Sequence, residues 1–79
     1  MKKSRRTEKL PQIDWSAVGR RIRQLRGYDL TQKDFAKRIG VSQSYLSSME
    51  NGKVEVGAAI LLGVAAECGK SIEWLLTGH

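Results

Sequence analysis

The chain has 79 residues and a formal net charge of +6, which bounds it to one small domain and favours an anionic partner, nucleic acid before an acidic membrane surface. Its hydrophobic share of 41% allows one modest core and not two. One cysteine, Cys68, excludes an internal disulfide, and with His79 as the only histidine neither a Cys–His nucleophile nor a Cys/His metal site is expected.

The first stretch, "MKKSRRTEKLPQ", is polar and basic without periodicity. It reads as an arm over residues 1–12, in which Lys2, Lys3, Arg5, Arg6 and Lys9 either serve as an electrostatic arm or form a simple tail. A domain over 13–79 follows. Asp14 is placed to cap a helix over about 15–26, with Ile13 and Val18 as its staple. Val18, Ile22 and Leu25 recur at helical spacing, and Gly27 stops the run. Thr31 caps a second helix over about 32–39, with Asp34 completing a capping box, Leu30 and Phe35 as staple and Gly40 as a left-handed stop. Ser42 caps a third helix that ends at Asn51-Gly52. The apolar run "GAAILLGVAAEC" makes a fourth helix over about 58–68, with Leu61, Val64, Ala65 and Cys68 facing inward and Gly69 ending it. Ser71 caps a last turn, "IEWLLTG". No segment has strand periodicity, so an all-α fold is expected.

Charge is unevenly spread. Residues 1–53 hold thirteen Lys/Arg against five Asp/Glu, and residues 54–79 hold one against three. The third helix departs from this pattern. Its outer side reads Gln43, Ser44, Ser47 and Ser48, without a charged residue, in a chain that is 28% charged. No apolar run is long enough for a membrane span, and the basic N-terminus lacks the apolar stretch of a secretory signal. A reducing, cytoplasmic compartment is expected, with no membrane association and no cofactor. No nucleophile–base pair is apparent, so no enzymatic activity is expected.

Two short helices joined by a Gly-containing turn form a candidate helix-turn-helix. Counting Gln32 as one, the fifth residue is Ala36, the ninth Gly40, the fifteenth Leu46 and the eighteenth Met49. Ala36 must be small for close helix approach, and Gly40 must turn the chain with positive φ. Leu46 and Met49 hold the third helix on the core. With these spacings, "LTQKDFAKRIGVSQSYLSSMENGK" resembles the DNA-binding core of the phage repressor and Cro (XRE-like) helix-turn-helix family, and "CGKSIEWLLTG" resembles its closing segment. The likeness covers about residues 15–78. "RGYDLTQ" is one residue shorter than usual in that family, and "VEVGA" stands where Pro-Ser commonly opens the fourth helix.

The resemblance implies a compact five-helix, lambda-repressor-like domain that binds double-stranded DNA in a sequence-specific way. It implies a transcriptional repressor whose third helix enters the major groove of a palindromic operator. An uncharged face suits that place, because amide and hydroxyl groups discriminate base edges while Lys and Arg on phosphates contribute position without sequence. By resemblance Gln43, Ser44 and Ser48 read bases, with Ser47 on the same stripe. Gln32, Lys33, Tyr45, Asn51 and Lys53 contact phosphate, and Gln32 also braces Gln43. Six of these have a plainer alternative: solvated surface for Ser47, Ser48 and Lys33, core packing for Tyr45, a C-cap for Asn51 and a surface charge for Lys53. Glu50 pairs with a first-helix arginine, Arg26 or Arg23. Trp74, Leu75 and Leu76 either pack on the fourth helix or form a homodimer seam. The alternative function is an antitoxin or adaptor whose main partner is a protein, a toxin or a fused C-terminal domain.

Overall fold

Helix starts fall where a side-chain oxygen can take the amides that have no partner within the helix. The computed structural model describes residues 10–79, and among these it holds five helices and no strand: α1 (Trp15–Arg26), α2 (Gln32–Ile39), α3 (Gln43–Glu50), α4 (Ala58–Cys68) and α5 (Ile72–Thr77). Asp14 accepts from the Ala17 amide at 3.1 Å and Thr31 from that of Asp34 at 3.1 Å. Ser42 accepts from the Tyr45 amide and Ser71 from that of Trp74, both at 3.0 Å. These are the four caps expected, each a contribution of about 1 kcal/mol. Helix α4 follows Gly57 without a side-chain cap, the local consequence of "VEVGA".

The turn between α2 and α3 depends on Gly40, whose φ of 81° lets the Gly40 and Val41 amides both reach the Ala36 carbonyl, at 2.9 and 3.0 Å. After α3 the chain repeats this device one residue beyond Asn51. Gly52 at φ 71° allows the Lys53 amide to bond the Ser48 carbonyl at 3.0 Å.

Helix α1 packs against α3 and α5, α2 against α3 and α4, and α4 against α5. Ile22, Phe35, Leu46, Met49 and Leu75 are fully buried in the core they share, each stabilising the fold by roughly 1.5–3 kcal/mol. α1 and α3 cross at Gly19, where a Cβ would stand 2.7 Å from the Glu50 carbonyl oxygen and closer still to that of Met49. Arg21 ties α5 to α1 by donating to the Leu75 carbonyl at 2.9 Å.

One expectation for α5 is corrected. Leu75 is buried inside the monomer, so it cannot line a seam between monomers. Six residues of helix give one inward position, and Leu75 takes it while Trp74 and Leu76 are half-buried beside it. Lys70 lies over the Trp74 ring at 4.8 Å. The large apolar side chain most open to solvent in the last third is Leu62, on the outer face of α4.

Candidate nucleic-acid interface

Helix α3 presents its uncharged side from a fixed corner made by three helices. Glu50, at the end of α3, is the buried charge of that corner, its side chain 3% exposed. Arg26, the last residue of α1, meets it with a two-pronged bond: Nε donates to Oε2 at 2.7 Å and Nη2 to Oε1 at 3.0 Å. Arg26 Nη1 donates to the Leu30 carbonyl at 2.9 Å, so the same side chain braces the short loop before α2. Gln32, the first residue of α2, donates from Nε2 to Glu50 Oε1 at 3.0 Å. The Glu50 hydrogen bond, assisted by the carboxylate's Coulombic attraction, holds the Arg26 guanidinium above its ordinary pKa against the pull of burial. A buried carboxylate thus joins the end of α1, the start of α2 and the end of α3.

This corner decides between the two arginines open to Glu50: Arg26 pairs with it and Arg23 stays exposed. It also takes one N–H of Gln32, which leaves the second N–H and Oε1 of that carboxamide for the expected brace to Gln43. The first N–H goes to Glu50, because a buried carboxylate oxygen is a stronger acceptor than a neutral amide in solvent.

From this frame Gln43 and Ser44 stand exposed in the first turn of α3, and Ser47 and Ser48 are half-buried farther along. Their polar atoms are not equally open. Asn51 Nδ2 donates to the Ser47 carbonyl at 2.9 Å and approaches its hydroxyl at 3.5 Å, so Asn51 closes the end of α3. Tyr45 is half-buried and packs against the core. Lys33, at the start of α2, and Lys53, just after α3, are exposed. Lys2, Lys3, Arg5, Arg6 and Lys9 lie outside the described residues. Arg20 and Tyr28, exposed side chains to which the sequence assigned no role, stand with the exposed Arg23 at and beyond the last turns of α1. Among the described residues no group of three His, Cys, Asp or Glu could hold a metal ion, and no helix is long and apolar enough to cross a membrane.

A protein-family model described as helix-turn-helix matches residues 20–75. The chain belongs to that family. Solved structures place it among helix-turn-helix domains of the repressor type, which are DNA-binding regulators of transcription. The P22 c2 repressor in complex with a synthetic operator matches with a TM-score of 0.73 and 30% identity, over 78% of this chain and 96% of that one. The restriction-modification controller protein C.AhdI from Aeromonas hydrophila matches with a TM-score of 0.71 and 28% identity, over 80% and 93%. The propionyl-CoA carboxylase regulator of Cereibacter sphaeroides is 43% identical over 63 residues. That match takes in 78% of this chain but 14% of the relative, so the helix-turn-helix domain is a small part of that protein's length.

Proposed function

We propose that this helix-turn-helix domain recognises a specific double-stranded DNA site by laying α3 in the major groove, and that it represses transcription by occluding a promoter. The observation that carries the reading is the outer side of α3. Gln43 and Ser44 are exposed, uncharged and carried on a helix whose far end is pinned by the Arg26–Glu50–Gln32 corner. Rigid mounting matters because a base contact depends on placing donors and acceptors within hydrogen-bond reach of one base edge. The P22 c2 repressor, a structural neighbour, is in complex with a synthetic operator, which supports duplex DNA as the partner here.

In this reading Gln43, Ser44, Ser47 and Ser48 face bases. Lys33, Lys53 and the amides at the start of α2 face phosphates. Gln32 keeps its carboxamide at that edge while bonding Glu50. Tyr45 and Asn51 act mainly through packing and the helix end. The basic arm of residues 1–12 adds affinity along the backbone or in the minor groove. The domain acts without catalysis, in the cytoplasm where its DNA lies. A homodimer through Trp74 and Leu76 would double the length of site read, with half-sites about one helical turn, ~34 Å, apart.

Selection of binding sites from a random duplex pool tests this. Enrichment of a palindrome, with the half-site bound more weakly than the whole, supports a dimeric sequence-specific regulator. Enrichment of a single half-site, with a monomer in sedimentation at high concentration, removes the dimer. No enrichment favours the second reading, in which a toxin or a fused C-terminal domain is the main partner. That reading draws on the small share of the Cereibacter sphaeroides relative that the chain spans.

A further inference from the structure

Helix α1 carries four arginines, and the fold engages two of them. Arg21 bonds the Leu75 carbonyl, and Arg26 bonds Glu50 and the Leu30 carbonyl. Arg20 and Arg23 are exposed, and among the described residues neither side chain meets a carboxylate or a carbonyl. Arg20, Arg23, Gln24 and Gly27 follow the i, i+3, i+4, i+7 spacing of one helix face. Together with Arg26 and Tyr28 they line an open concavity of about 610 Å³ at the end of α1. Tyr28 projects fully into solvent from the loop that follows. Among the described residues no carboxylate lines the hollow, and Asp29, next in the chain, is not part of it.

These are the groups that hold phosphate. Guanidinium forks supply paired donors matched to phosphate oxygens, and a carboxamide and a phenol add neutral ones. The place of the concavity narrows the choice among phosphates. Its wall includes Arg26, which Glu50 joins to Gln32 at the head of α2. Two hydrogen bonds through Glu50 thus link this wall to the start of α2, the edge of the surface read as facing DNA. A groove-bound α3 leaves the backbone running past that edge, where unpaired positive charge releases counterions on contact.

We propose that this concavity takes a backbone phosphate of the bound DNA, flanking the bases read by α3, with Arg20 and Arg23 as its charged donors. This rests on the reading of the domain as a duplex-binding one. Arg20 and Arg23 lengthen the track of phosphate contacts and add affinity without sequence preference.

The test compares the full chain with R20A/R23A, both positions being exposed, on one duplex of about 20 base pairs with a binding site selected from the random pool, or of arbitrary sequence if the pool enriches none. Circular dichroism establishes that the variant is folded. Loss of this one phosphate contact makes the slope of log K against log[salt] shallower by about 0.9, so the fall in affinity between 50 and 200 mM salt shrinks about 3.5-fold. Lys37→Gln, at the opposite end of α2 from Gln32, keeps the wild-type slope. Ethylation of phosphates in the same duplex interferes with the wild type at a flanking phosphate and not with R20A/R23A. An unchanged slope in R20A/R23A overturns the proposal while leaving duplex recognition by α3 intact. An equal slope change per charge in Lys37→Gln overturns it too, since the effect is then one of net charge. Pyrophosphate shifting the Tyr28 ring resonances, with the R20A/R23A slope unaltered, identifies a site for a free phosphate and overturns the assignment to DNA. If the wild type binds no duplex at any salt concentration, the DNA reading itself falls and takes this proposal with it.

Discussion

Replacing Arg26 with methionine removes the guanidinium and leaves Glu50 buried with only the Gln32 amide to meet it. Both side chains of the pair are well shielded, at 14% and 3% exposed. Breaking such a pair from one side costs about 3–5 kcal/mol, because the remaining charge has lost its solvent and its partner. A domain of this size has a total stability of about 5–15 kcal/mol and loses about 4–8 °C of melting temperature per kcal/mol. The variant should therefore melt about 12–40 °C lower. Glu50→Leu together with Arg26→Met removes both charges and should recover most of the loss, to within about 1–2 kcal/mol of the wild type. Thermal and urea unfolding of the wild type, the two single variants and the double variant complete the cycle. A loss of under about 1 kcal/mol for Arg26→Met would refute the reasoning, since the pair would then behave as a solvent-screened one.

Gly19→Ala should destabilise the domain by at least ~1–3 kcal/mol in urea titration, the reverse of the usual helix preference, because the added carbon meets the backbone oxygens of Met49 and Glu50 rather than a side chain that can move. Cys68 should react with iodoacetamide more slowly than a free cysteine near neutral pH: burial, and then the charge of Glu67, raises the thiol's pKa and depletes the thiolate. Deleting residues 1–10 should make the salt slope of DNA binding shallower; an unchanged slope would remove the arm from the account.

The helix boundaries and the turn could be read from the sequence because they are set by neighbours in the chain. Asp14, Thr31, Ser42 and Ser71 each cap through a bond to an amide three residues on, and Gly40 acts through its own φ. Contacts between distant segments were less accessible. Which arginine Glu50 takes depends on the path of the shortened loop, and the structure resolves it through the second bond from Arg26 to the Leu30 carbonyl. That Gln32 bonds Glu50 depends on where the end of α3 lies beside the start of α2. In α5, Trp74, Leu75 and Leu76 are adjacent and all apolar, so the pattern alone does not name the inward one. For the concavity of Arg20, Arg23 and Tyr28 the helical spacing of Arg20, Arg23 and Gln24 names one wall, but the outline is formed where α1 ends and the loop departs.

The central claim is that α3 reads bases, and Gln43, exposed in its first turn, tests it most directly. The measurement is the affinity of wild type and Gln43→Ala for the selected duplex and for its single-base variants, at one salt concentration. Gln43→Ala should lose about 1–3 kcal/mol on the selected site and lose discrimination at one base pair of each half-site, keeping it elsewhere. Equal weakening on every duplex, with all base preferences intact, would place Gln43 on the backbone and contradict the account.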